Sequence, residues 1–230
     1  SFVISECLRN KLQSQKAVDI IPTYNFSVPV LNAKPSKTAE DDGPVAHRKV
    51  AATLPHEMFG LLFHRRAEQF HRIFATDRLV EFWEMDAKHR ALPPIRGAGD
   101  RDIPIRIYGD DSSHTRSYGF LVVTWTSSTC FRDDPLLVDL QYAVLSMKDG
   151  TAETTEAFYE VLVWSLRALA EGKYPLTDHR GRSWEELGDI ARGTRGHIDC
   201  GWLACTCARA CRRLEMDQGM PAATLALWRG

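Results

Sequence analysis

A mixed α/β (α+β) fold is what the sequence predicts, on three observations. A helical period runs over residues 54–92, a period of two follows from Ile103 to Leu145, and the helical period returns over Glu156–Glu171. The 230 residues suggest one large domain, or one with an appendage, at about 150 residues per domain. A chain of this size buries about 70% of its unfolded surface, so it needs no disulfide framework. Hydrophobic residues at 44% and charged residues at 26% match ordinary globular proteins. Lys and Arg total 29 against 30 Asp and Glu, for a net charge of -1. That balance excludes a uniformly basic coat and a long charged tail, and leaves room for a local basic face.

The first 53 residues read as an irregular segment. Val28–Leu31 is a candidate short strand, and Asn32–Pro44, rich in Lys, Pro, Ser, Asp and Gly, is a loop. Residues 54–92 form a helical pair. Thr53 is placed as N-cap with Pro55 in the first turn, and Met58, Phe59, Leu62, Phe63, Phe70, Ile73 and Phe74 make the buried stripe. Thr76 caps the second helix, with Leu79, Val80, Phe82 and Trp83 inward, and Pro93-Pro94 bars its continuation. His64, Arg65, Arg66, His71 and Arg72 fall off the stripe, on a face that meets water or, less simply, phosphate.

Residues 103–191 read as the core. Ile103, Ile105 and Ile107 alternate with Pro104, Arg106 and Tyr108, and the run breaks at Gly109-Asp110-Asp111. Tyr118–Trp125 is nearly continuous in apolar residues, like a central strand. Leu136–Leu145 alternates again, with Val138, Leu140, Tyr142 and Val144 on one side. The short spacings favour an antiparallel three-stranded meander. The next helix is capped at Thr154 or Thr155, buries Phe158, Val161, Leu162, Leu166 and Leu169, and ends at Gly172. Ser183 and Glu186 hold capping-box spacing for a short helix. Residues 192–230 are a Cys- and Arg-rich tail with no clear period.

No apolar run approaches the roughly 18 residues that span a bilayer, so no membrane partner is expected. Ser1–Glu6 lacks the basic start and apolar stretch of a secretory signal. The missing initiator Met points to a fragment, a processed product or an incomplete gene model. Four of the six cysteines fall between positions 200 and 211, unlike a spread disulfide framework, so an intracellular compartment is expected.

The leading candidate for chemistry is the stretch Ile103–Ser113, PIRIYGDDSS at its heart. A strand ending in an acid can aim a carboxylate from a rigid sheet at a divalent ion, as two-metal phosphoryl-transfer sites require. Mg²⁺ takes hard oxygen ligands, one or two carboxylates with waters. The plainer reading of Gly109-Asp110-Asp111 is a turn between strands.

Four segments carry a resemblance: the LPHEMFGLLFH…FWE helices, PIRIYGDDSS, VVTWTSS and ALAEGKYPLTDHRG. Together, over roughly Leu54 to Trp184, they resemble transposase-like open reading frames of the RNase H-fold, DDE class, abundant in some protist genomes. The resemblance implies a partial RNase H-like fold, which begins with three strands and an amphipathic helix. It also implies DNA as partner, Mg²⁺ as cofactor, and a nuclear location. By it, Asp110 is the first metal-binding carboxylate, with Asp111 its neighbour or alternative. The class needs a second Asp on a strand after the Glu156–Glu171 helix. Asp199 is the candidate, Asp189 the other acid in that region, and no third acid can be assigned. The sequence therefore reads as a truncated or degenerate copy, without the full acid set of a working polynucleotidyl transferase.

A second constellation is His197, Cys200, Cys205, Cys207 and Cys211. Zn²⁺ takes four nitrogen or sulfur ligands, but the spacings H-x2-C, C-x4-C, C-x-C and C-x3-C lack paired C-x2-C knuckles, so plain thiols are the simpler reading. Ser112-Ser113-His114 lacks a G-x-S-x-G elbow, and no P-loop or G-x-G-x-x-G run implies a nucleotide or other small-molecule cofactor. His179 reads as a solvated loop residue, and Trp125, Trp164 and Trp184 as core bulk. The alternative function is a non-enzymatic module that binds nucleic acid or protein through its N-terminal helices and Arg192, Arg195, Arg209, Arg212 and Arg213, with Zn²⁺ at the Cys cluster as an option.

Overall fold

The computed structural model describes residues 22–31, 46–74, 76–89, 102–113, 119–130, 139–196, 198 and 203–206. Five antiparallel strands and a sixth, short parallel one make a single sheet in the order β1-β2-β5-β4-β3-β6. The strands are β1 (Tyr24–Val30), β2 (Ala46–Ala52), β3 (Asp102–Ser113), β4 (Gly119–Ser127), β5 (Leu140–Ser146) and β6 (Leu203–Thr206). The expected three-stranded meander is present as β3-β4-β5, and the hairpin β1-β2 extends it on the β5 side. That join is short. It consists of the pair Ala52–Ala143 and a bond from the Thr53 amide to the Tyr142 carbonyl.

β2 carries little hydrophobic signal because its inward positions are Ala46, Arg48, Val50 and Ala52. Arg48 sits among them at the sheet margin, donating to the Ser146 carbonyl at 2.9 Å. The alternation expected for residues 136–145 is broken by a bulge. Val123 pairs with Ala143 but Thr124 pairs with Gln141, so Tyr142 is the extra residue. Tyr142, Ala143 and Leu145 consequently point inward and Val144 outward, the reverse of the sequence expectation for Val144. Residues 131–138, with the rest of that expected strand, lie outside the described residues.

Helices cover one face of the sheet. These are α1 (Pro55–Arg65), α2 (Ala67–Phe74), α3 (Leu79–His89), α4 (Ala152–Glu171) and the single turn α5 (Ile190–Gly193), with a 3₁₀ turn at Thr76–Arg78. α1 starts one residue later than expected: Leu54 is the N-cap and offers no side-chain bond. Its first turn is stabilised instead by burial, since Pro55 to Gly60 are all buried. Phe59, Phe70 and Phe74 pack edge-to-face or tilted, with ring centroids within 4.9 Å of one another, where α1 and α2 meet. Val80, expected inward, is 56% exposed because α3 turns only Leu79 fully into the core.

α4 is capped at Thr151 rather than Thr154 or Thr155. Thr154 stands at the third helical position and completes the box reciprocally with Thr151. Phe158, Val161, Leu162, Leu166 and Leu169 are buried as expected, each worth about 1.5–3 kcal/mol on removal from water. Gly172 ends the helix at φ 66°, a left-handed conformation costly for other residues. α4 packs beside α1 and reaches both outer strands, β1 and β6.

Candidate functional site

The structure draws attention to two carboxylates. The first is Asp110. The run does not break at Gly109: the β3–β4 ladder continues through Asp110–Val122 and Asp111–Leu121 to Ser113–Gly119, so these acids stand in strand rather than in a turn. Ile103, Ile105 and Ile107 fill the core, which sends Arg106, Tyr108 and Asp110 to the opposite, solvent face. Across from Asp110 is Val122, with Phe120 and Thr124 diagonal to it. Among the described residues no group of three or more His, Cys, Asp or Glu side chains could hold a metal ion. A charged pairing on this face joins Arg106 to Asp139 at 3.8 Å, and burial raises the Asp139 carboxyl although Arg106 opposes it.

The other expected ligands are not assembled around Asp110. Cys205 lies in β6 opposite Pro104. Asp199, His197, Cys200, Cys207 and Cys211 lie outside the described residues. Asp189 is committed elsewhere: it caps α5 through the Arg192 amide at 3.2 Å and holds Arg192 Nη1 at 2.8 Å.

The second carboxylate, Glu57, was not singled out by the sequence. It stands on α1 with its side chain 1% exposed. Arg192 Nε donates to Oε1 at 2.7 Å and Nη2 to Oε2 at 3.1 Å, a two-pronged grip. Arg195 Nη1 adds a bond to Oε1 at 2.8 Å. Burial acts to raise the Glu57 carboxyl, but the arginine bonds and charges outweigh it and hold the group below its ordinary range. Arg192 also donates to the Thr23 carbonyl at 3.1 Å and lies 5.5 Å from the ring centroids of both Tyr24 and Trp184. Arg192 and Arg195 are thus tied inward, contrary to the expectation that they offer a nucleic-acid surface. Arg209, Arg212 and Arg213 lie outside the described residues.

Around this pair runs an aromatic and histidine cluster. The Tyr24 hydroxyl and His179 Nδ1 are 2.8 Å apart, so His179 is not a solvated loop residue. Burial pushes the Tyr24 phenol up to about 12 and lowers His179. Trp164 and Trp184 pack with Tyr24, and Trp125 is buried under Phe74, as expected of core tryptophans. His56, beside Glu57, shares a bond of 2.8 Å with Ser165 Oγ and is 1% exposed. Burial drives its imidazole down to about 4, so it is neutral at physiological pH. Ser165 is 0% exposed. A histidine beside a serine could suggest nucleophilic catalysis, but here both are sealed from any substrate.

The loop after α4 supplies the other half of the cluster. Asp178 accepts from the Arg180 and Arg182 amides, both at 2.9 Å, and from Arg182 Nη2 at 2.7 Å. Burial would raise its carboxyl, and these bonds keep it low. The Ser183–Glu186 box forms as expected, with bonds of 3.1 and 3.2 Å, but it opens only a turn that ends at Gly188, φ 72°.

Comparison with known proteins gives no match: no family model, no curated protein and no solved structure is similar to this chain. Among the described residues no helix is long and apolar enough to cross a membrane.

Proposed function

We propose that the chain is a transposase-derived, RNase H-like unit without the complete acid set for phosphodiester chemistry. One observation carries the reading. After the β3-β4-β5 meander and the long helix α4, the chain returns as β6, parallel to β3 and directly beside it. A metal site shared between an acid on the first strand and an acid on the strand after the helix needs those strands to be neighbours; the order supports this, with the described part of β6 lying against Asp102–Ile105, five to eight positions before Asp110. The described part of β6, Leu-Ala-Cys-Thr, carries no acid, and Asp110 faces Val122 and Tyr108's side of the sheet rather than a second carboxylate. If the site binds Mg²⁺, Asp110 holds it and the ion supplies the Lewis acid for attack on phosphate. Asp111 and Asp199 are the remaining candidates for that role.

The test is incubation of the purified chain with supercoiled and oligonucleotide DNA in millimolar Mg²⁺. No nicking or strand transfer is expected. Cleavage that disappears in Asp110→Ala would overturn the incomplete-site reading while upholding the nuclease ancestry.

A second reading, a binding module, is favoured by the open face, where Tyr108 is 56% exposed and Arg106 stands two residues away. Exposed aromatic and cationic side chains on a sheet can stack and pair with single-stranded nucleic acid. Metal-independent retention of single-stranded DNA, falling with salt and lost in Tyr108→Ala, would select it.

A further inference from the structure

We infer that residues 175–195 form a strap that lifts off helix α1 and strand β1 as one piece, hinged at its base and clasped by the Glu57–Arg192 pair.

Three features carry this. The base is closed by backbone: the Tyr174 amide donates to the Gly196 carbonyl at 3.1 Å and the Ile198 amide to the Gly172 carbonyl at 2.8 Å, pinning both ends to the C-terminus of α4. The strap is bonded internally. Asp178 organises Arg180 and Arg182, Thr177 bridges Ser183, Trp184 Nε1 donates to the Pro175 carbonyl at 2.7 Å, and Asp189 holds Arg192. Its hydrogen bonds to the body, by contrast, all run through side chains among the described residues. These are Arg180 to the Ser27 carbonyl, His179 to Tyr24, Arg192 to the Thr23 carbonyl, and Arg192 and Arg195 to Glu57.

The ring contacts to the body gather at one place, where the His179 ring lies against Tyr24, Phe26 and Trp164. Trp184 is 3% exposed against Tyr24 and Trp164, whereas Leu176, at 72%, and Ile190, at 67%, face outward. A segment that is internally bonded and joined to the body only through side chains among the described residues is the kind that opens as a cooperative unit below the global unfolding free energy. The strap is therefore a unit whose opening uncovers Glu57, and the clasp sets how often it opens.

Solvent exchange of the Arg192 Nε–H reads the opening directly, because that proton bridges strap and body while the Tyr174 and Ile198 amides report the base. In the unmodified protein the Arg192 proton is expected to exchange through an opening that leaves both base amides protected. Glu57→Gln is expected to raise its exchange rate about tenfold to a hundredfold, the loss of a charge-assisted bond, while both base amides still exchange more slowly than the Arg192 proton. Exchange of the Arg192 proton only together with the base amides would overturn the inference.

Discussion

Asp110 and Glu57 are acids of one chain in opposite settings. Asp110 stands on the open face of β3, opposite Val122, with water as its surroundings. Glu57 is withdrawn into the helical face and gripped by two arginines from a segment 135 and 138 positions away. An ionised carboxylate taken from water loses solvation worth several kcal/mol, which only close and well-aligned partners return. An exposed strand acid has little to lose. The acid that looks chemical in the sequence is therefore nearly independent of the fold, and the acid that looks incidental holds it together.

The largest effect is expected from cutting the grip. Arg192→Ala leaves Glu57 buried with only part of its compensation and removes the guanidinium between Tyr24 and Trp184, and a loss of about 3–5 kcal/mol in urea unfolding is expected.

Acid should weaken the same region. Below pH 6.5 the unfolded chain protonates the His56 imidazole, while the folded protein refuses the proton until about pH 4. Stability therefore falls as pH drops between those values, by roughly 3 kcal/mol from this group. Glu57, whose folded carboxyl is held low, adds a loss in the same direction at lower pH. Urea midpoints from pH 8 to pH 4 should be flat above 7 and decline below 6.5. The decline should shrink in His56→Gln, and an unchanged slope would contradict the assignment.

A smaller effect separates packing from charge. A Cβ at Gly60 would come within 2.1 Å of the Tyr174 hydroxyl, so the helix-favouring Gly60→Ala must push that ring aside. A cost of about 1–3 kcal/mol is expected despite the gain in helix propensity, measured by thermal or urea unfolding.

Much of the frame was legible because local signals agreed with it. The α4 stripe, the Gly172 terminus, the Ser183–Glu186 box and the isoleucine alternation in β3 each depend on neighbours within a few positions. Three features were not legible, for physical reasons. β2 turns Ala and Arg inward, so its period carries no hydrophobic contrast. The bulge at Tyr142 depends on the partner strand's register. Glu57 looks like any acid in the first turn of a helix until Arg192 arrives from far along the chain. The predicted site met the converse problem. The sequence broke the strand at Gly109 and favoured a turn there, where Asp110 in fact continues the ladder, and whether another acid comes to meet it is a property of the assembled sheet.

The comparison is tested most directly by two isosteric substitutions, Asp110→Asn and Glu57→Gln, unfolded side by side in urea at pH 7. Asp110→Asn is expected to fall within about 0.5 kcal/mol of the unsubstituted protein, as surface changes do. Glu57→Gln is expected to cost about 2 kcal/mol or more, because two arginines lose their buried counter-charge. Equal costs, or a larger one at Asp110, would contradict the placement of the fold's critical charge on α1 and return attention to the strand.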